Sequence, residues 1–309
     1  MKQDRHLTIS EPNSMPHIHV LDSTLYYEDS GAIVHGRSGC TGTAFVLLHG
    51  NPASSHLWRK VLPRLRGLGR CLAPDLIGMG RSGKPDIAYS YDDQARYLDA
   101  WIEALGLQDV ALVGIDCGAS LCFDWARRHT SRVRGIAFME TIVRPLSRAD
   151  IPVAARPRFS AFRTPAMGEK LVIAQNQFLE GALKATVLTP LTDADRSAYE
   201  DPFLEPESRR PLLAWSRALP IDGSPADVVA RVEAYGAWLA SSSAVPKLLL
   251  TFEGSPTLMI GPDLTNWCKA NIAALHIHHC GAAGHLAPED QPDAIADALL
   301  DWCRLHDIG

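Results

Sequence analysis

The stretch Val113-Gly114-Ile115-Asp116-Cys117-Gly118-Ala119-Ser120 constrains the fold of this chain more than any other. An apolar run, Ala111 to Val113, leads into a Gly-x-Asp-x-Gly turn, and Leu121 and Trp125 then stand four residues apart. An apolar run, a glycine turn and helical spacing read as strand, turn and helix. That is the shape of a nucleophile elbow, a sharp turn presenting one side chain at the carboxyl end of a strand. The presented residue is usually Ser, and here it is Asp116. Small residues at Gly114 and Gly118 permit the turn. The helix start beyond it offers free N–H groups to the carboxylate. An Asp capping a helix after a Gly-rich turn would leave the same window, so the rest of the chain must decide.

Strands and helices alternate around this stretch. His17 to Glu28, with Leu25-Tyr26-Tyr27, suits an edge hairpin, and Gly31 to Gly42 follows as a loop. Ala44 to Leu48 is continuously apolar, as a strand covered on both faces of a parallel sheet should be. It ends in His49-Gly50-Asn51-Pro52, a non-helical turn whose N–H groups can point into a cleft and serve an oxyanion or a leaving group. Ser54 to Leu65 has helical spacing, and Arg70 to Pro74 returns as a strand. The glycines of Asp75 to Gly83 lack a Gly-Lys-Ser/Thr and open no helix, which argues against nucleotide binding. Tyr91 to Gly106 fits an amphipathic helix, and Arg134 to Met139 a strand with Glu140 at its end. From Pro145 to Pro225 recurrent prolines break helical patterns such as Gly168 to Leu183. This texture predicts a helical lid, residues 146–226, between a first core part, 1–145, and a second, 227–309. The second part carries a helix over Asp227 to Leu239, strands over Lys247 to Phe252 and Ala274 to His279, and a closing helix from Pro292 to Leu305. The expected class is α/β, a mostly parallel doubly wound sheet with an inserted helical lid.

With 309 residues, 46% of them hydrophobic, the chain is long enough to bury a sizeable core. A net charge of −5 without a basic block argues against a nucleic-acid partner. Met1 to Ser14 is polar and lacks an apolar signal region, and no apolar stretch reaches membrane-spanning length. The cysteines, Cys40, Cys71, Cys117, Cys122, Cys268, Cys280 and Cys303, are scattered without a CxxC pair. That pattern favours reduced thiols in the cytoplasm over disulfides or a zinc site.

Asp116, Glu140 and His285 fall at the carboxyl ends of predicted strands, where an open α/β sheet places its ligand crevice. Nucleophile, acid, histidine is the chain order of α/β-hydrolases. A carboxylate attacking carbon leaves an alkyl ester on the protein, and a histidine oriented by a second acid can activate water against it. His276, His278 and His279 compete with His285, which is favoured by its place after the turn Gly281-Ala282-Ala283-Gly284. Glu253 and Asp263 follow the strand at 247–252 and could replace Glu140, although either could be a helix cap.

Over nearly its full length the chain resembles haloalkane dehalogenases. The resemblance runs through Val-Leu-Leu-His-Gly-Asn-Pro at 46–52, Ser55-His56-Leu57-Trp58-Arg59, Asp75 to Ser82, Phe123-Asp124-Trp125-Ala126 and Phe138-Met139-Glu140. It continues through Asp201-Pro202-Phe203-Leu204, Arg209-Arg210-Pro211, Pro225 to Val229, and Gly284-His285 with Glu289-Asp290 and Pro292. In the subgroup it resembles, the acid follows the sixth strand, which implies Glu140. The resemblance further implies that Asp116 attacks the halogen-bearing carbon and that His285 with Glu140 activates water. Asn51 would hold the halide, and the backbone N–H groups of Asn51 and Cys117 the oxyanion. It implies an α/β-hydrolase fold, a small apolar organic substrate with water, and no cofactor, metal, nucleic acid or membrane. The chain would act as a monomer or weak homo-oligomer.

Two positions depart from the family's pattern. Members normally carry Trp directly after the nucleophile, its indole N–H being the second halide donor, and commonly His before it; here stand Cys117 and Ile115. Losing one of two preorganised donors costs about 3 kcal/mol in the transition state, and a thiol donates weakly. Trp215 of the lid could replace the donor, although packing also accounts for it. Epoxide opening is the nearest rival reaction, with Tyr199 or Tyr235 as proton donor. A retasked natural-product hydrolase or isomerase and a non-catalytic small-molecule receptor are the further readings.

Overall fold

The computed structural model describes residues 17–31, 42–151, 153 and 155–309. The expectations for Met1 to Ser14, for Cys40 and for most of the loop at 31–42 fall outside those residues. Eight strands form one sheet: β1 (His17–Val20), β2 (Ser23–Asp29), β3 (Ala44–Leu48), β4 (Arg70–Pro74), β5 (Val110–Ile115), β6 (Val133–Met139), β7 (Lys247–Glu253) and β8 (Leu275–Ala282). Their spatial order is β1-β2-β4-β3-β5-β6-β7-β8. The hairpin β1–β2 and the β2–β4 pair are antiparallel, and the other neighbours are parallel. Every residue of β3 and β5 is buried, which is why both read as unbroken apolar runs. At the far edge β8 is only half covered, and His276, His278 and His279 stand on its exposed positions.

The helices are α1 (Leu62–Leu65), α2 (Tyr91–Ala104), α3 (Asp116–Arg128), α4 (Arg156–Arg163), α5 (Gln177–Ala185), α6 (Asp193–Glu200), α7 (Arg210–Ala218), α8 (Ala226–Ser241), α9 (Pro262–Asn271), α10 (Ala287–Asp290) and α11 (Pro292–Leu305). α3 packs against α2 and α8, and α11 against α1 and the last two strands. Trp58, Trp101, Trp125, Phe45, Phe123 and Phe138 are fully buried in the core these layers enclose. Among the described residues no helix is long and apolar enough to cross a membrane.

Two helical expectations are corrected. Ser54 to Leu65 is not one helix but a 3-10 turn, Ser55–Trp58, followed by the short α1, whose first turn carries Pro63. Proline has no N–H to continue a helix arriving from before it, so the chain restarts there. The pattern at 168–183 is likewise split: a π-helical turn, Glu169–Ala174, ends before Asn176, whose φ of 54° starts α5 in a new direction. Between β6 and β7 the chain leaves the sheet for about 100 residues. It forms α4 to α7 there and comes back to the core through α8.

Candidate active site

β3 and β5 are neighbours in the sheet although β4 lies between them in sequence. The connections leave these two strands in opposite directions, and the crevice at their carboxyl ends is where such sheets bind ligands. β5 ends in Asp116, the first residue of α3, with a φ of 53°. A side chain in that left-handed region is strained, so the surroundings must hold it. A Cβ on Gly118 would collide with the carbonyls of Leu48 and His49, and one on Gly114 with the backbone of Ala119. Those two contacts explain the glycines of the turn. Asp116 is no helix cap: the capping position is Ile115, which makes no side-chain cap bond. Instead the Asp116 Oδ2 accepts a hydrogen bond from the backbone N–H of Asn51 at 2.9 Å, across the crevice from the end of β3.

The turn after β3 is fixed from beneath. His49 is fully buried; its Nε2 accepts from the N–H of Leu76 at 2.9 Å, so its Nδ1 donates to the Gly50 carbonyl at 2.8 Å. Burial holds this imidazole below its ordinary pKa, against the pull of Asp75, and favours the neutral ring those bonds require. β6 ends in Glu140, fully buried, with a φ of 46°. Its Oε2 accepts from the N–H of Met259 at 2.7 Å, its Oε1 from the N–H of Ile260 at 3.2 Å. The same Oε2 lies 3.2 Å from Nδ1 of His285, just beyond β8. Nε2 of that ring points to Asp116, 4.0 Å from Oδ2. Burial penalises a charged His285, but the attraction of Asp116 and the hydrogen bond and charge of Glu140 outweigh it and raise the ring to about 10.

Three side chains from three strand ends therefore converge in one buried crevice: a strained carboxylate held by a backbone N–H, an imidazole, and a second carboxylate behind it. Such a set can attack an electrophilic carbon and then activate water. A family of the alpha/beta hydrolase fold matches residues 43–217. The chain is 46% identical over 270 residues to a haloalkane dehalogenase of Sphingobium indicum, covering 85% of this chain and 89% of that one. It is 41% identical to one of Agrobacterium fabrum over 98% of both. The crystal structure of the haloalkane dehalogenase DbeA from Bradyrhizobium elkani superposes with a TM-score of 0.88 at 41% identity, covering 95% of this chain and 98% of that one. The chain belongs to the haloalkane dehalogenase family. It is a hydrolase of that type.

For a haloalkane dehalogenase the residue after Asp116 is unusual. Cys117 is buried directly after Asp116, and burial, with the neighbouring Asp116 charge, pushes its thiol well above the ordinary range. It therefore stays a neutral, weak donor. The Asn51 side-chain amide donates to the Leu212 carbonyl on α7 at 3.2 Å. Trp215, three residues further along α7, is buried edge-to-face against Tyr91, and its indole N–H has no partner among the described residues. Glu253 is exposed at the end of β7, and Asp263 lies in the first turn of α9; the acid that meets His285 is Glu140. The Tyr199 hydroxyl donates to Glu289 at 2.5 Å, and that of Tyr235 to the Ile142 carbonyl at 2.6 Å. Both are committed elsewhere, which removes the support they lent to epoxide opening.

Sequence reasoning missed Thr141, whose Oγ1 donates to the Asp116 carbonyl at 2.6 Å, while the Asp116 N–H donates to the Glu140 carbonyl at 3.2 Å. Its position directly after Glu140 was the only signal available. It also missed the N–H groups of Met259 and Ile260, which no side-chain pattern announces.

Proposed function

We propose that this protein hydrolyses the carbon–halogen bond of small haloalkanes through an alkyl ester on Asp116. The observation that carries the reading is Asp116 pinned through Oδ2 by the Asn51 N–H and facing an imidazole whose far nitrogen rests on Glu140. Oδ1 attacks the halogen-bearing carbon; the carbon–halogen bond breaks with its electron pair, and halide departs. Attack uses up the negative charge of Asp116. The pull that kept His285 protonated then weakens, burial disfavours the charged ring, and the proton leaves to solvent. Neutral Nε2 takes a proton from water, and the hydroxide adds to the ester carbonyl. The oxyanion forms on the oxygen already facing the Asn51 N–H, with the N–H of Cys117 beside it. Collapse releases the alkoxide, which His285 protonates, so that haloalkane and water give alcohol, halide and a proton.

Asn51 supports the halide through the second hydrogen of its side-chain amide. We assign the other donor to Trp215, because α7 touches Asn51 through Leu212 and the indole N–H is unpartnered. The inserted helices, residues 146–226, act as the lid that keeps the crevice dry. We place the enzyme in the cytoplasm, since all six described cysteines are free thiols.

The test is a panel of bromo- and chloroalkanes with terminal epoxides, reading halide and diol. Bromide release is expected. His285→Phe should accumulate an alkyl group on Asp116, seen as a mass increase on its peptide. Epoxide turnover without bromide release from any alkane, or no adduct with a substrate the wild type turns over, would overturn the reading.

A further inference from the structure

His285 lies on a short segment whose neighbours on both sides are tied to the lid. Gly284, just before it, donates its N–H to Asp290 Oδ2 at 2.8 Å. Leu286, just after it, donates its N–H to the carbonyl of Thr186 at 2.9 Å. Asp290 reaches the same lid segment: its Oδ1 accepts from the N–H of Thr189 at 2.8 Å, and its carboxylate accepts from the N–H of Leu188 at 3.0 and 3.1 Å. The approach is tight, since a Cβ on Gly284 would collide with the Thr186 carbonyl. One carboxylate thus gathers three backbone N–H groups, two from the lid and one from the residue that precedes the histidine. A charged acceptor bonded to several N–H groups makes stronger hydrogen bonds than a neutral one would.

The next residue back ties a second part of the lid to the same place. Glu289, buried at 4% exposure, accepts from Tyr199 on α6 at 2.5 Å and from Arg59 at 2.5 and 2.8 Å, and Lys60 lies 3.1 Å away. Glu289 therefore holds α6 against the core through charges on core residues. Asp290 has no cation within ion-pair distance among the described residues, and its bonds go to backbone alone. It is the one of the two whose loss would loosen the histidine segment's hold on the lid, leaving the Leu286–Thr186 bond and the α6 attachment in place.

We propose that Asp290 is a positioning residue for His285, and that through it the lid segment at 186–189 sets the histidine for ester hydrolysis. The inference rests on the covalent reading above. It predicts a split between the two half-reactions. Asp116 alone attacks the haloalkane, so ester formation does not need His285 in register. Hydrolysis does, because Nε2 must reach a water at the ester carbonyl while Nδ1 keeps Glu140, and a displacement of a fraction of an ångström degrades both contacts.

Asp290→Asn is the test. An amide has one accepting oxygen and turns its NH2 toward backbone N–H groups, so at least one of the three bonds is lost. With a bromoalkane that the wild type turns over, the first turnover should release bromide at close to the wild-type rate. Steady-state release should fall about tenfold, and the alkylated Asp116 peptide should accumulate. Asp290→Glu, which keeps the charge, should recover part of the steady-state rate. A merely structural role would lower burst and steady state together with the folded fraction, leaving their ratio as in the wild type, and that result overturns the proposal. Where the Asn variant fails to fold, the same ratio is read in the Glu variant: a raised ratio supports the proposal and a wild-type ratio overturns it. His285→Phe run alongside separates the two claims. An adduct there with wild-type ratios in the Asp290 variants refutes the positioning role alone; no adduct there refutes the covalent reading, and the positioning role falls with it.

Discussion

Glu140→Gln isolates the charge behind the histidine with little change in shape. Its Oε2 position carries two donors, the N–H of Met259 and Nδ1 of His285, and its Oε1 position carries one, the N–H of Ile260. The glutamine oxygen should take the two-donor place, leaving its NH2 against Ile260. His285 then keeps an acceptor but loses a charge partner. At 3.2 Å and an effective dielectric of about 20, that attraction amounts to about 5 kcal/mol, an upper bound. The retained hydrogen bond returns part of it, so the imidazolium formed in ester hydrolysis should lose about 3 kcal/mol, or about a hundredfold in rate. Ester formation makes no imidazolium and should be nearly unchanged. Quenched-flow bromide measurement with intact-protein mass spectrometry reads both steps. The expected record is one bromide per site released at the wild-type rate, then slow turnover with the protein alkylated. The reasoning fails if a folded variant shows no burst, or if its steady-state turnover stays within threefold of wild type.

Three further outcomes follow from the same contacts. His285, raised to about 10 against an unfolded value near 6.5, contributes stability that is complete below about pH 6.5 and is lost as pH rises through about 10. The difference in urea midpoint between wild type and His285→Gln should shrink over that window, and a pH-independent difference would contradict the assignment. Gly118→Ala forces a Cβ into the carbonyls of Leu48 and His49 and should cost about 3 kcal/mol, lowering the melting temperature by about 5 °C in a thermal scan. Trp215→Phe should lower bromide release at least about tenfold by removing the indole donor assigned to the halide; an unchanged rate means the second donor lies elsewhere.

The strands that bear the site were legible because their environment is uniform. β3 and β5 are buried along their whole length, so their sequences are unbroken apolar runs bounded by glycine turns. The ends of those runs pointed to Asn51 and Asp116. His285 stood out from His276, His278 and His279 by its place after the last turn, and the fold separates them by exposure. The break at Pro63 and the π-helical turn before Asn176 were hidden, because helical spacing continues on either side while the backbone changes course. Hidden too were contacts made by backbone. Met259 and Ile260 serve Glu140 through N–H groups that any residue but proline supplies. His49 looked like part of a turn, and its work of bracing Gly50 against Leu76 depends on a residue 27 positions away.

The position of Glu140 links Asp116 to His285. Asp116 and Glu140 both sit at positive φ, 53° and 46°, on adjacent parallel strands, and each helps to hold the other. The Asp116 N–H donates to the Glu140 carbonyl, and the Thr141 hydroxyl returns a bond to the Asp116 carbonyl. A strained residue persists only where its surroundings over-determine it, and here two strained residues share those surroundings. These bonds come from the main-chain carbonyl at 140 and the hydroxyl at 141, so they belong to the end of β6 and not to the carboxylate of Glu140. The end of β6 therefore does two things: the Glu140 carboxylate orients His285, and its carbonyl with Thr141 holds the elbow, while Gly114 and Gly118 admit the close packing behind it. Thr141→Val should then loosen Asp116 itself, slowing halide release in the first turnover as well as ester hydrolysis. That pattern is distinct from Glu140→Gln, in which only the second step suffers. Equal bursts in the two variants would show that the Thr141 bond does not hold the nucleophile.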